Sequence, residues 1–313
     1  MKPNFLFKFI LLCFVSCSVD YEMEKSFENE PDRITVNSFL NSSKPIRIKL
    51  YRMLKDNNAY IFKGLTDAHI VLKEDEKILF DDFCPDSILS IGYLPHPGAI
   101  YSIEVSCKGM TTVKARTTVP EAINCKPYFT FPDEYWDISK YLVKLDSFSI
   151  PSIDRVSLWI TTYKMYENND IIQYNELYTN NLFVDKTNRV AGMDIKNEVV
   201  GSIYYDGFLR IKQKNLSHLG MLIFTPNFVY SSGVVMPDSR QKSIMVKLIT
   251  ASAEYDQYNK TLFEQKSMIV YDNDISSIFY QPKSVYCNIE NGLGIFAGMS
   301  EVDYICELPK ADD

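Results

Sequence analysis

Four side chains between residues 69 and 107 are of the types that bind zinc: His69, Cys84, His96 and Cys107. Structural zinc sites use ligands that come in pairs a few residues apart, because each short pairing holds two ligands in one local turn. Here the successive ligands are 15, 12 and 11 residues apart, so the chain has no such pairing. We therefore expect no metal site and no cofactor.

The carboxylates also give no clear catalytic group. Asp81 and Asp82 are adjacent, so on a strand their side chains would point to opposite faces, and Asp272 with Asp274 lack the other ligands of a calcium loop. The chain has no Gly-x-Ser-x-Gly segment. We predict a protein without enzymatic activity and name no catalytic residue. The alternative, a hydrolase of peptides or glycans, requires two buried titratable side chains that converge in a cleft.

The segment 291–298 is rich in glycine, with Gly292, Gly294 and Gly298. Phosphate-binding loops place their glycines between a strand and the start of a helix. This segment has the wrong spacing for a dinucleotide fingerprint and does not lead into a helix. It predicts a tight turn followed by a strand that packs closely against its neighbour.

Aromatic residues in an irregular, proline-bearing stretch are the candidate ligand contacts: Tyr128, Tyr135 and Trp136. Aromatic side chains on such loops reach the surface and bind sugar rings or peptide side chains. Packing in a core or between domains would explain the same residues, and that alternative stays open.

The first 17 residues have the order of a bacterial lipoprotein signal. Two lysines at positions 2 and 8 precede an apolar run over 9–15, which is too short to cross a bilayer. The run ends in Phe14-Val15-Ser16-Cys17, which resembles a lipobox, whereas bulky Leu12 makes Cys13 a poorer acceptor. We predict a signal peptide over 1–16, lipidation of Cys17 and an acidic tether over 17–31.

Five cysteines remain in the mature chain besides Cys17, and their number is odd. Outside the inner membrane disulfides can form, so Cys84 with Cys107 is one candidate pair and Cys287 with Cys306 is a second. The first bridge would close a loop of about 23 residues and stabilise the fold by about 3 kcal/mol if its geometry suits. Five free thiols are the alternative.

The composition limits the class of protein. With 313 residues, 46% of them apolar, the chain is long enough for about two domains with real cores. Its formal net charge of -7 argues against a nucleic-acid partner. The 21 tyrosines and 19 phenylalanines favour β structure.

The elements that must position these residues are mostly strands. Apolar residues alternate from Arg33 onwards, and a hairpin around Gly109 ends at Pro120, which cannot donate to a sheet ladder. We predict a β-sandwich over 32–120 and a larger β-rich domain over 121–313. Only 251–269 has helical spacing, so one amphipathic helix is expected there, followed by closing strands at 293–297 and 302–305.

Two stretches of the chain resemble the DUF4249 family of Bacteroidetes lipoproteins. The first is Leu94-Pro95-His96-Pro97-Gly98-Ala99-Ile100-Tyr101, and the second combines Glu254-Tyr255-Asp256-Gln257-Tyr258 with the glycine-rich segment 288–298. The resemblance implies that the first domain is an immunoglobulin-like or carboxypeptidase-regulatory-like sandwich. It transfers no catalytic residues.

The same resemblance implies a location and a partner. Members of this family are often encoded beside TonB-dependent outer-membrane transporters. We therefore expect a lipoprotein of the outer membrane, anchored through Cys17 and displayed at the cell surface, that captures a ligand for such a transporter. A structural or adhesive surface protein is the remaining alternative.

Overall fold

Strands form most of the chain that the computed structural model describes. The described residues are 32–56, 59–130, 142–149, 156–173, 176–179, 181–185, 207–227, 241–269 and 284–307. The predicted signal peptide, Cys17 and the tether lie outside them, as do Tyr135 and Trp136. The predicted all-β class with a small helical part is confirmed.

The first half of the described chain contains nine strands. They are β1 (Arg33–Asn41), β2 (Ile46–Asp56), β3 (Ala59–Gly64), β4 (Ala68–Glu74), β5 (Lys77–Cys84), β6 (Ile88–Ile91), β7 (Ile100–Ser106), β8 (Val113–Thr118) and β9 (Asn124–Thr130).

The second half adds eight strands and two helices. They are β10 (Leu142–Ser149), β11 (Ser157–Tyr166), β12 (Ile171–Gln173), β13 (Glu176–Tyr178), β14 (Phe208–Ile211), α1 (Gln213–Leu216), β15 (Met221–Asn227), β16 (Gln241–Ala251), α2 (Ala253–Ile269) and β17 (Leu293–Glu307). Helix α2 lies where the helical spacing predicted it. No helix of the described residues is both long and apolar enough to cross a membrane.

Two sheets enclose the first hydrophobic core. One sheet has the order β5-β4-β7-β8, and its strands β4, β7 and β8 bury alternate residues, as period-2 spacing requires. The predicted hairpin is present, because β7 and β8 are antiparallel and Gly109 between them has a φ of 79°. Strands β1 and β2 of the other sheet cover this core from the opposite side.

The other sheet is the largest, and its order is β12-β11-β16-β17-β1-β2-β3, with β14 beside β11 and β6 beside β2. Its strands β11, β14 and β16 cover a second core together with a third sheet of order β13-β15-β10-β9. Helix α2 packs against this second core through Tyr255 and Phe263.

Strand β17 belongs to both halves of the molecule. Residues 293–299 pair in parallel with β1, and residues 299–307 pair antiparallel with β16. The sequence predicted two closing strands here, whereas the structure has one strand of 15 residues.

The chain passes from the first core to the second near Pro120. Val119 is in the first core and Ile123 is in the second, on either side of Pro120. However, Ile289 and Phe296 from the predicted second domain complete the first core. Alternation shows which residues of a strand are buried, but it does not identify the partner strand.

The glycines of the 291–298 segment let β17 approach its neighbours. Gly294 has a φ of 101°, and a Cβ there would overlap the carbonyl of Val36. A Cβ at Gly298 would overlap the carbonyl oxygen of Thr118 and lie 2.8 Å from Val119 Cα. The predicted turn and close-packed strand are confirmed, and the segment does not lead into a helix start.

The substitution Gly298→Ala should destabilise the fold by about 3 kcal/mol, because the backbone of 118–119 has to move to admit the methyl group. The measurement is the free energy of unfolding in urea. Gly220→Ala is the matched control, since a Cβ there meets nothing within 4 Å. Equal losses for the two variants would contradict the steric explanation.

Candidate ligand-binding cleft

A cleft of about 340 Å³ opens at the N-terminus of α2. Three elements meet there: the first residue of β11, the end of β14 with the α1 segment, and the first turn of α2. Its lining residues are Ser157, Arg210, Lys212, Gln213, Lys214, Ala253, Asp256 and Gln257. The lining is therefore polar and rich in cations.

Ser252 starts α2 at this cleft. Its hydroxyl accepts a hydrogen bond from the backbone N–H of Tyr255 at 3.2 Å, and its carbonyl accepts one from the N–H of Asp256 at 2.9 Å. A serine in this position satisfies N–H groups that the helix leaves without an internal acceptor. The helix therefore begins at a fixed place beside β17, because the N–H of Ser252 donates to Gly298 O.

Arg210 forms a buried ion cluster at the floor of the cleft. Its Nε donates to Asp256 Oδ1 at 2.7 Å, and its Nη2 donates to Asp256 Oδ2, so that pair is bidentate. Its Nη1 donates to Asp185. The guanidinium also lies 5.8 Å from the ring centre of Trp159, whose Nε1 donates to Asp256 Oδ1 at 2.9 Å.

The two carboxylates of this cluster bear on the hydrolase alternative. The hydrolase alternative requires two titratable side chains that converge, and Asp185 and Asp256 do converge on Arg210. Both carboxylates accept charge-assisted hydrogen bonds from the buried guanidinium of Arg210.

Two lysines surround this cluster. Lys212 Nζ lies 3.1 Å from Asp185 Oδ1, so the cluster contains two cations and two carboxylates. Lys214 is exposed on α1 and has no carboxylate partner among the residues that the structure describes. The lining therefore has a net positive charge although the whole chain has a net charge of -7.

Sequence reasoning missed most of this cleft. Asp256 and Gln257 were quoted only as part of the family resemblance, and Asp185 and Arg210 were not singled out. One signal was available: Arg210 interrupts the apolar strand Phe208–Ile211, and a charged residue at a buried strand position needs a partner.

Tyr128, one of the predicted aromatic ligand contacts, is not among the residues that line this cleft. Tyr128 lies on β9 with half of its surface exposed, and Lys144 Nζ lies 5.3 Å from the centre of its ring. Tyr135 and Trp136 lie outside the described residues, so their place relative to Tyr128 stays a prediction.

The structure does not bring the predicted disulfide partners together, and all five cysteines of the described chain are free thiols. Strand β4 lies between β5, which ends at Cys84, and β7, which precedes Cys107. Neighbouring strands lie about 4.8 Å apart, so the Cα atoms of two residues on either side of β4 are about 10 Å apart. A disulfide requires its two Cα atoms to be within about 7 Å.

The second pair is separated by almost the whole length of β17. Cys287 Sγ is 3.8 Å from Gly292 O, just before β17 begins, whereas Cys306 is near the end of this strand of 15 residues. An extended strand rises about 3.3 Å per residue, so the two thiols are out of reach of each other.

His96 belongs to a different cluster, in the first sandwich. Its Nδ1 lies 2.9 Å from Glu74 Oε1 and 2.8 Å from the hydroxyl of Tyr93. The hydroxyls of Tyr93 and Tyr101 both donate to Glu74, and Tyr101 also accepts the N–H of His96. The cluster ties the loop at His96 to β4 and β7.

Glu74 is the acceptor at the centre of this cluster. Burial acts to raise the pKa of its carboxyl, but the hydrogen bonds from Tyr101, Tyr93 and His96 outweigh burial and hold that pKa below its usual value. Burial and the bond to Glu74 raise the pKa of Tyr93 to about 12, so this hydroxyl is a neutral donor at pH 7. The charged acceptor Glu74 and its neutral tyrosine donors therefore hold the loop at His96 in place.

The candidate zinc ligands do not form a group. His69 Nε2 lies 3.1 Å from Asp81 Oδ1, and His96 contacts Glu74. Within the described part of the chain, no three His, Cys, Asp or Glu side chains are placed to hold a metal ion.

The fold and the site define a class of protein. It is an all-β protein with two hydrophobic cores, one strand, β17, that pairs in both halves, and a polar cleft. Comparison with protein families gives a more specific result. The model of the family described as "Domain of unknown function (DUF4249)" matches residues 18–305, and the chain therefore belongs to this family. A comparison with curated proteins gave no match.

The variant Glu74→Gln should lower the free energy of unfolding at pH 7 by about 2 kcal/mol, because it removes a buried carboxylate that accepts three hydrogen bonds. The folded pKa of Glu74 lies below its unfolded value of about 4.3. The contribution of the ionised Glu74 carboxylate to the free energy of unfolding is therefore complete above the unfolded pKa. It is lost as the pH falls through the folded pKa.

Urea unfolding from pH 7 to pH 3 measures this effect. The difference between wild type and Glu74→Gln should shrink across the acid end of the range, whereas the exposed Glu121→Gln control should match wild type at pH 7. A difference that stays constant down to pH 3 would show that Glu74 does not act through its charge.

Proposed function

We propose that this protein is a lipid-anchored outer-membrane protein that captures a ligand for a TonB-dependent transporter and does not break bonds. The cleft at α2 is the observation that carries the capture role. Arg210 at its floor is bonded to the buried carboxylates of Asp256 and Asp185, so the site offers fixed charges and hydrogen-bonding groups.

The anchor rests on the N-terminal sequence. The lipobox ends at Cys17, and the family match begins at the next residue. Each acyl methylene that enters the membrane contributes about 0.8 kcal/mol, and more than one chain is needed for a stable anchor. The several chains of a bacterial lipoprotein would meet that need.

A tether between anchor and body gives the capture role its physical advantage. Residues 17–31 are acidic and precede the first strand. A binding protein held beside a transporter meets it at a high effective concentration, since the encounter becomes intramolecular. A ligand released from the cleft is then available close to the transporter.

The variant Cys17→Ala should accumulate as an uncleaved precursor without acyl label, because the lipidated sulfur is lost. The measurement is metabolic labelling with radioactive palmitate, followed by membrane fractionation. Cys13→Ala is the matched control and should be labelled and processed like the wild type, since it removes a nearby thiol from the predicted signal peptide. Acyl labelling of Cys17→Ala would contradict the assignment of the anchor.

The transporter proposal has its own test. The full chain, extracted in mild detergent through an affinity tag and analysed by mass spectrometry, should bring down a TonB-dependent transporter. Detergent extraction of a strain without the tag is the control. Recovery of the protein without any such transporter would refute the partnership.

A further inference from the structure

We propose that the cleft at the N-terminus of α2 binds the anionic group, a carboxylate or a phosphate, of a small solute. This inference names a ligand class for the capture role proposed above and rests on that role. It is carried by the hydroxyl of a largely buried serine, a helix N-terminus and an unpaired lysine that all border the same space.

Ser157 is the first of these groups. Only 6% of its surface is exposed, it lines the cleft, and its hydroxyl has no hydrogen-bond partner among the described residues. Its Oγ is not among the fully buried atoms without a partner in the described chain, so this hydroxyl opens onto the cleft and can hydrogen-bond a bound group.

Helix α2 contributes the positive end of its dipole. It has 17 residues, and Ala253 in its first turn lines the cleft. The N-terminus of such a helix has about half a positive charge and presents backbone N–H groups, which is favourable for a bound anion.

The two acidic residues of this first turn are engaged elsewhere. Glu254 accepts a hydrogen bond from Thr117 at 2.8 Å, away from the lining residues. Asp256 is bonded to Arg210 and Trp159, which compensate its charge. Neither carboxylate therefore takes the place of a ligand at the helix N-terminus.

Lys214 gives the cleft its excess charge. The other two lining cations, Arg210 and Lys212, are paired with Asp185 and Asp256. Lys214 has no such partner within the described chain, and its ammonium group is a strong donor for carboxylate or phosphate oxygens.

The size of the cleft limits the solute. Its volume of about 340 Å³ is at the lower end of the range for small-molecule sites, which runs from about 300 to 1,000 Å³. The amides of Gln213 and Gln257 border the same space and can bond neutral polar groups of the ligand. A small polar anion fits this lining better than a large apolar one.

Isothermal titration calorimetry tests the site on the full chain in mild detergent at low salt. Inorganic phosphate and sodium acetate are titrated separately, so that the two arms distinguish a phosphate from a carboxylate ligand. The variants Lys214→Gln and Ser157→Ala should each raise the dissociation constant of the bound anion about fivefold or more. Added salt should weaken binding by the wild type.

Lys108→Gln is the matched control, because Lys108 is an exposed lysine in the turn between β7 and β8 of the first sandwich. It should bind like the wild type. Urea unfolding of all three variants checks that the fold is intact. The proposal is overturned if neither anion binds to the wild type, or if Lys214→Gln and Ser157→Ala bind as tightly as Lys108→Gln.

This test is separate from the test of the transporter partnership. A protein that binds either anion but recovers no transporter keeps the site and loses the partner. A protein that recovers the transporter but binds neither anion keeps the partner and loses the site.

Discussion

The close approach of β17 to the strands around it joins the two halves of this molecule. The N-terminal part of the strand pairs with β1 and the C-terminal part pairs with β16, so residues of one strand reach both hydrophobic cores. This is possible because Gly294 and Gly298 have no Cβ where the backbone of Val36 and Thr118 passes. A side chain at either position would push a neighbouring strand away.

The same strand fixes the cleft. Gly298 O accepts the N–H of Ser252, and Gly298 N–H donates to Thr117 Oγ1 at 3.0 Å. Thr117 in turn donates to Glu254 on α2. The start of the helix is therefore tied to β17 and to the end of β8, and the first turn of the helix stays beside the lysines of the α1 segment. A binding site formed on such a frame needs little reorganisation when a ligand enters.

Buried charge has two different uses in this fold. In the first sandwich, Glu74 accepts hydrogen bonds from two tyrosines and a histidine, which holds the loop at His96 in place. In the second half, Arg210 bonds two carboxylates beside an open cleft. Removal of one member of either cluster leaves a buried polar group without compensation, which is costly. The second cluster borders the cleft of about 340 Å³.

The sequence by itself determined the all-β class, the long helix, predicted at 251–269, and the hairpin at Gly109, because each of these depends on residues near one another in the chain. It also indicated that the glycine-rich segment packs closely, but not which strands it packs against. The cleft could not be derived in the same way. Arg210 is 25 residues from Asp185 and 46 from Asp256, and an ion pair over such a separation leaves no local pattern. The choice of β1 and β16 as partners of β17 was also decided only in the tertiary structure, because alternation fixes which face of a strand is buried and leaves its neighbours open.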